Sequence, residues 1–245
     1  MFKQETPWAL ITGASGEIGQ AIGAYLIDAG VPLYLHYNRN KEKLEPLVQK
    51  CQERGVPYVI LQADLRDPQQ ISAMFAQMQV APLLIVNNAS VDDVGLFTDV
   101  TVEKFDELMA LNVRSTFLVC QAAVPAMLRA RYGRIVNISS IWGLTGGSCE
   151  VLYSMTKGAV NTFTKALAKE MAPNGITVNA VAPGAIAGGM MERFAPDEME
   201  MIAEEIPANR LGQPYEVAAV VRFLLSADSS YVTGQVISPN GGWYT

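Results

Sequence analysis

The sequence predicts an α/β protein: one doubly wound domain with a seven-stranded parallel sheet and helices on both faces. Three observations carry this. Short apolar runs alternate with longer stretches of helical periodicity along all 245 residues, which requires crossover connections and a largely parallel sheet. The first run, Trp8–Thr12, passes through Gly13, Gly16 and Gly19 into a helix, an order that lets backbone N–H groups and a helix N-terminus hold a diphosphate. No repeat, low-complexity tract or linker breaks the alternation, so a single domain is expected over residues 1–245.

Each element follows from local pattern. The first helix runs through Ala21, Ile22, Tyr25 and Leu26 to about Gly30, and Pro32–Tyr37 is the second strand. A helix over 41–54 leads to strand three at Tyr58–Gln62, and another opens after Asp67-Pro68 and runs to about Gln77. Leu83–Val86 is strand four. Helical segments then occupy about Thr101–Leu111 and Val113–Arg131, with Asn112 between them. Arg134–Ile138 is strand five. The stretch after it reads as a loop, because Gly143, Gly146 and Gly147 break either periodicity. A helix follows on which Val151, Met155, Val160, Phe163, Leu167 and Met171 recur at helical spacing, ending near Pro173-Asn174-Gly175. Thr177–Val181 is strand six. An irregular, methionine-rich segment runs from Pro183-Gly184 to about Pro207, before a helix at Glu216–Leu225 and strand seven at Gly234–Ser238.

Composition narrows the function. Half the residues are apolar and 17% are charged, enough for a sizeable core and against disorder. A net charge of −6 argues against nucleic acid as a partner. Cys51, Cys120 and Cys149 are scattered and form no C-x-x-C, which reads as reduced thiols in a cytoplasmic protein. No apolar run approaches the roughly 18 residues of a membrane span, and no secretory pattern opens the chain. His36 is the single histidine, so no multi-histidine metal site is expected and a Ser-His-Asp hydrolase is excluded from the main readings.

The chemistry centres on Ser140, Tyr153 and Lys157. Tyr153 and Lys157 stand four residues apart on one helix and so lie side by side. A free tyrosine has a pKa of about 10; an ammonium within roughly 4–6 Å favours the phenolate and pulls that value down. Tyr153 so tuned could exchange a proton with a developing alkoxide, while the Ser140 hydroxyl bonds the same oxygen. At the end of strand two, where an NAD-binding chain usually places an acid, this chain has Asn38 and Arg39, with Lys41 and Lys43 nearby. A 2′-phosphate would find positive charge there, so NADP(H) is favoured over NAD(H).

These residues resemble the short-chain dehydrogenase/reductase family over essentially the whole chain. Thr12-Gly13-x-x-Gly16-x-x-Gly19, Asn87-Asn88-Ala89, Asn112, Ser140, Tyr153-x-x-x-Lys157 and Pro183-Gly184 occur in the family's order and spacing. The resemblance implies a Rossmann-type sheet and hydride transfer between a nicotinamide and a ketone or alcohol. It implies a catalytic set of Asn112, Ser140, Tyr153 and Lys157, with Asn112 holding a water and Lys157 binding the ribose. It places Gly13, Ser15, Gly16, Ile18 and Gly19 at the diphosphate and Asp64 and Leu65 at the adenine. Asn88, Ala89 and Ser90 would pass the second ribose, and Pro183, Gly184 and Ile186 the carboxamide. It also implies a homo-oligomer, dimer or tetramer, packed through the helices near Val113–Arg131 and Val151–Met171.

Three positions depart from the family pattern. Glu17 stands where the middle glycine of the turn is usual, and is expected to point outward. Ser90 replaces a glycine, and Gly188 replaces a cofactor-bonding threonine.

Two substrates stay open. The glycine loop, Leu111-Asn112-Val113 and the ending from Tyr231 resemble 3-oxoacyl-[acyl-carrier-protein] reductases. The stretch from Ser140 to Tyr153 is similar to bacterial elongation factor P 5-aminopentanone reductases, which reduce a ketone on a modified protein lysine. Glu150 near Tyr153, and Glu192, Asp197, Glu198, Glu200, Glu204 and Glu205 against Arg193 alone, would attract an amine-bearing ketone. Arg129, Arg131 and Arg134 could instead serve an acyl carrier. Met190, Met191, Met199 and Met201 offer an adaptable apolar surface. A non-catalytic NADPH sensor is the reading of another class, and the complete catalytic set argues against it.

Overall fold

The structure, a computed structural model, describes residues 6–245, without the side chains of Met190 and Glu192; the readings placed on those two side chains lie outside it. Its frame is a seven-stranded parallel sheet in the order β3-β2-β1-β4-β5-β6-β7. The strands are β1 (Ala9–Ile11), β2 (Leu33–Tyr37), β3 (Tyr58–Gln62), β4 (Leu84–Asn87), β5 (Gly133–Ile138), β6 (Ile176–Val181) and β7 (Val236–Ile237). Alternate residues feed opposite cores. Ala9, Ile11, Leu33 and Leu35 pack under α1 (Glu17–Asp28), α2 (Glu45–Arg54) and α9 (Pro214–Leu225). Leu10, Tyr34, Ile85 and Ile135 pack under α3 (Pro68–Ala76), α5 (Ser115–Ala130) and α7 (Val151–Met171). Both faces are thus covered, which is why the central strands are apolar runs without alternation.

The chain winds outward from β1 to β3, then returns to place β4 on the other side of β1. The connections therefore diverge between β1 and β4. That point opens a crevice at the carboxyl ends of the two strands, the place where sheets of this type bind ligands.

Four local expectations are corrected. There is no break at Asn112: α4 (Val102–Leu108) passes through a π-helical turn at Met109–Arg114 straight into α5. The continuous Val102–Ala130 helix is long and apolar enough by composition to cross a bilayer, though α5 packs on β4, β5 and α3 as a core element. The glycine-bearing stretch after β5 contains one helical turn, α6 (Trp142–Thr145), and the segment after β6 is not irregular but carries α8 (Pro196–Glu205). On α7 the buried face is Leu152, Tyr153, Thr156, Lys157, Val160 and Thr164, whereas Val151 and Met155 are exposed. Hydroxyl, phenol and ammonium groups take the inner positions that apolar periodicity alone assigns to hydrophobic residues.

Candidate active site

A cleft of about 780 Å³ occupies the crevice, within the usual range for small-ligand sites. Its floor is the turn between β1 and α1. Gly13 has φ 65°, and a Cβ there would lie 2.9 Å from Ala89 Cα, so both the backbone and the close approach of the β4 end require glycine. Thr12 Oγ1 accepts from the N–H groups of Asn88 (2.9 Å) and Ala89 (3.1 Å), and Asn88 Nδ2 donates to the carbonyls of Thr12 and Gly13. His36 ties in β2: its Nδ1 accepts from Gly13 N–H at 3.0 Å, which leaves Nε2–H to donate to the Ala63 carbonyl at 3.0 Å. Burial holds this imidazole neutral, with its pKa lowered to about 4. Its part in holding the glycine turn is invisible in a strand read only as apolar.

Gly13, Ser15, Gly16 and Ile18 line this floor, with Asn38 and Arg39 at one end and Leu65 above them. Asn88, Ala89 and Ser90 form the wall toward the opposite end, where Ser140, Tyr153, Pro183, Gly184 and Ile186 meet. Four expected residues stand behind the lining. Gly19 packs against Gly13 and Ala14 within the turn. The Asp64 carboxylate is taken by Arg66, whose Nη2 lies 2.6 Å from Oδ2 and whose hydrogen bond holds the acid below its usual pKa. Arg66 rather than Asp64 faces the cleft. Asn112 and Lys157 act from beneath.

Lys157 is 2% exposed, and its Nζ donates to the Ile138 carbonyl at 2.9 Å. Burial lowers its pKa to about 8. Tyr153, 6% exposed, has its pKa raised, against the expectation of a lowered one: burial dominates, Asp92 and Glu150 add to it, and the Ser140 hydrogen bond only partly offsets them. The phenol is therefore held protonated. Asn112 spans two elements: Oδ1 accepts from Val91 N–H at 3.0 Å, while Nδ2 donates to the Val91 carbonyl (2.7 Å) and to Thr156 Oγ1 (3.1 Å). It pins the chain beyond β4 to α7, one turn from Tyr153.

Several lining residues have no signal in the sequence. Asp92 and Arg193 form an ion pair across the mouth. Trp142 and Trp243 meet edge to face, ring centres 5.4 Å apart, bringing the C-terminal tail to the catalytic end. Glu150 does line the cleft, and burial raises its pKa. Glu17 corrects its expectation, since its carboxylate turns inward to the segment after β6 at Gly188.

A dinucleotide-sized cleft on a glycine turn, with a Ser–Tyr–Lys cluster at one end, is the site of a nicotinamide-dependent oxidoreductase. The chain belongs to the short-chain dehydrogenase/reductase family, and a family profile described as "Enoyl-(Acyl carrier protein) reductase" matches residues 13–244. The chain is 48% identical over 238 residues to "Uncharacterized oxidoreductase YmfI" of Bacillus subtilis, covering 96% of this chain and 98% of that protein. It is 37% identical over 242 residues to the 3-oxoacyl-[acyl-carrier-protein] reductase FabG of Staphylococcus aureus, covering 98% of each. The crystal structure of a 3-oxoacyl-[acyl-carrier protein] reductase from Brucella melitensis superposes with a TM-score of 0.91 at 32% identity, covering 98% of this chain and 91% of that one.

Proposed function

We propose that this protein is an NADPH-dependent ketone reductase acting on 3-oxoacyl thioesters of the kind its Staphylococcus and Brucella relatives are named for. One observation carries the reading: the Ser140–Tyr153 hydroxyl pair, backed by buried Lys157, stands at one end of the cleft and Arg39 at the other. The glycine turn and first turn of α1 would hold the diphosphate, and Asn38 and Arg39 a 2′-phosphate. Asn88, Ala89, Ser90 and Lys157 would hold the second ribose, and Pro183, Gly184 and Ile186 the carboxamide. A nicotinamide held there would supply the hydride that the carbonyl carbon receives. Ser140 polarises the carbonyl oxygen, and Tyr153, kept protonated by its surroundings, delivers its proton to that oxygen. Lys157 bears on the phenolate left behind, and Asn112 keeps the wall in register with α7.

A pair of hydroxyls converging on one point suits an oxygen that gains a proton, and so favours a ketone over a carbon–carbon double bond. The test is NADPH oxidation with a 3-oxoacyl thioester, comparing wild type with Tyr153→Phe. Turnover that falls by roughly 10²–10⁴ in the variant, with cofactor binding kept, is the expected result. No turnover in the wild type would sink the thioester reading.

A second reading has its own support. Asp92, Glu150, Trp142 and Trp243 surround the catalytic end, and carboxylates with indole faces attract an ammonium. An amine-bearing ketone on a protein lysine is the substrate that chemistry favours. We further propose a cytosolic homo-oligomer, with its three free thiols kept reduced. Phe117, Val151 and Met155, exposed along α5 and α7, would pack against a second copy.

A further inference from the structure

Glu17 and Gly188 meet across the middle of the cleft. Glu17 is the first residue of α1, beside the glycine turn, while Gly188 lies beyond β6 with φ 87°. A side chain at 188 would overlap the Glu17 carboxylate outright, and a Cβ at Gly189 would stand 3.3 Å from Glu17 Oε2. The carboxylate thus fills the space that a residue-188 side chain would take, within the cleft wall.

That wall faces the path of the diphosphate. With Arg39 at one end and Tyr153 at the other, a dinucleotide spanning the cleft sets its phosphates at the glycine turn, beside Glu17. The first N–H groups of α1 lack partners within the helix and attract one anion. The Glu17 carboxylate, directed to Gly188, stands beside that path as a fixed negative charge.

We propose that Glu17 is a cofactor-affinity residue: its carboxylate, lodged in the side-chain space of Gly188 beside the glycine turn, opposes the diphosphate and weakens dinucleotide binding. The inference rests on the dinucleotide reading of the cleft but not on the choice of NADPH, because NADH carries the same diphosphate. Gly188 is small because Glu17 occupies its side-chain space.

Glu17→Gln keeps the shape and removes the charge. Fluorescence titration should show NADPH and NADH each bound roughly tenfold more tightly by the variant, the gain shrinking as salt is added. Calorimetry should show the same gain for ADP and none for adenosine, which has no phosphate. Dinucleotide affinity that is unchanged or weaker in Glu17→Gln, or an equal gain for adenosine, overturns the proposal. Gly188→Ala tests the contact. Its positive φ strains alanine in any background, so the informative quantity is the difference in melting temperature between backgrounds. A larger drop with Glu17 present than in Glu17→Gly supports the contact, and equal drops sink it. If neither dinucleotide binds either protein, the cofactor reading itself has failed and this proposal falls with it.

Discussion

The Lys157 ammonium stands 5.4 Å from the centre of the Tyr153 ring, yet donates its hydrogen bond to the Ile138 carbonyl. The lysine is held as a nearby charge rather than as the phenol's partner. Burial brings its pKa to about 8 and pushes that of Tyr153 upward, so the two groups move apart and the phenol keeps its proton where the ammonium begins to lose one. Below pH about 8 a charged lysine would stabilise the phenolate formed in the proposed proton transfer; above it that help would be lost. Ketone reduction should therefore fall as pH rises through about 8. Lys157→Arg, whose guanidinium stays charged, should lack that limb in a pH–rate profile. An identical limb in the variant would assign it to another group.

Asn112→Ala should destabilise the protein through its connections rather than its size. It leaves the Val91 N–H and carbonyl short of a partner and strips one of two bonds from the Thr156 hydroxyl, which still donates to the Tyr153 carbonyl; the loss is about 1–3 kcal/mol for each unpartnered group kept from water. Denaturant unfolding should show a midpoint well below wild type. A midpoint unchanged within error would mean that the wall does not depend on Asn112.

His36 gives the fold an acid-sensitive point. Its native pKa of about 4 lies below the unfolded value of 6.5, so between these values the unfolded chain binds the extra proton. Stability should fall as pH drops through that window and level off below about 4. The difference is about 3 kcal/mol over the whole interval. His36→Gln should flatten this stretch of the stability–pH curve. A curve with the same slope in the variant would place the acid sensitivity elsewhere.

The Asp92–Arg193 pair should matter to substrate more than to folding. Both side chains are partly exposed, at 20% and 36%, and such a pair contributes under about 1 kcal/mol. Asp92→Asn should leave the melting temperature nearly unchanged, and raise KM severalfold for a cationic ketone but not for a neutral one. Equal changes for both substrates would remove Asp92 from substrate selection.

Most of the fold was legible because its signals are local. Apolar runs, glycine turns and helical spacing mark β1 to β7 and the long helices without reference to one another. The site was legible where backbone constraint and chemistry coincide, as at Gly13 with its positive φ, or at Tyr153 and Lys157 one helical turn apart. Illegible were partners that only tertiary structure supplies. Arg66 takes Asp64, Arg193 reaches Asp92 from 101 residues away, and Trp243 arrives from the tail. The direction of the Tyr153 shift was misread for a related reason: spacing reveals the lysine but not the depth of burial that outweighs it. Glu17 was expected outward because its counterpart, the empty space at Gly188, lies 171 positions on.

The π-helical turn at Met109–Arg114 makes chain length, as distinct from residue identity, a property under constraint. Thr116 Oγ1 donates to the Asn112 carbonyl at 3.1 Å and the Ser115 hydroxyl donates to Leu111, so side chains help satisfy the carbonyls of the widened turn. One residue fewer would let the turn relax into an ordinary α-helix. A π-turn holds one residue more than an α-turn, so α5 would keep its seat on β4 and β5 while the backbone inside the turn is redrawn. Asn112, inside that turn, would lose its aim at Val91. Substitutions can drift along this helix one at a time, but a lost codon there would strike the wall beside Tyr153 while sparing the core.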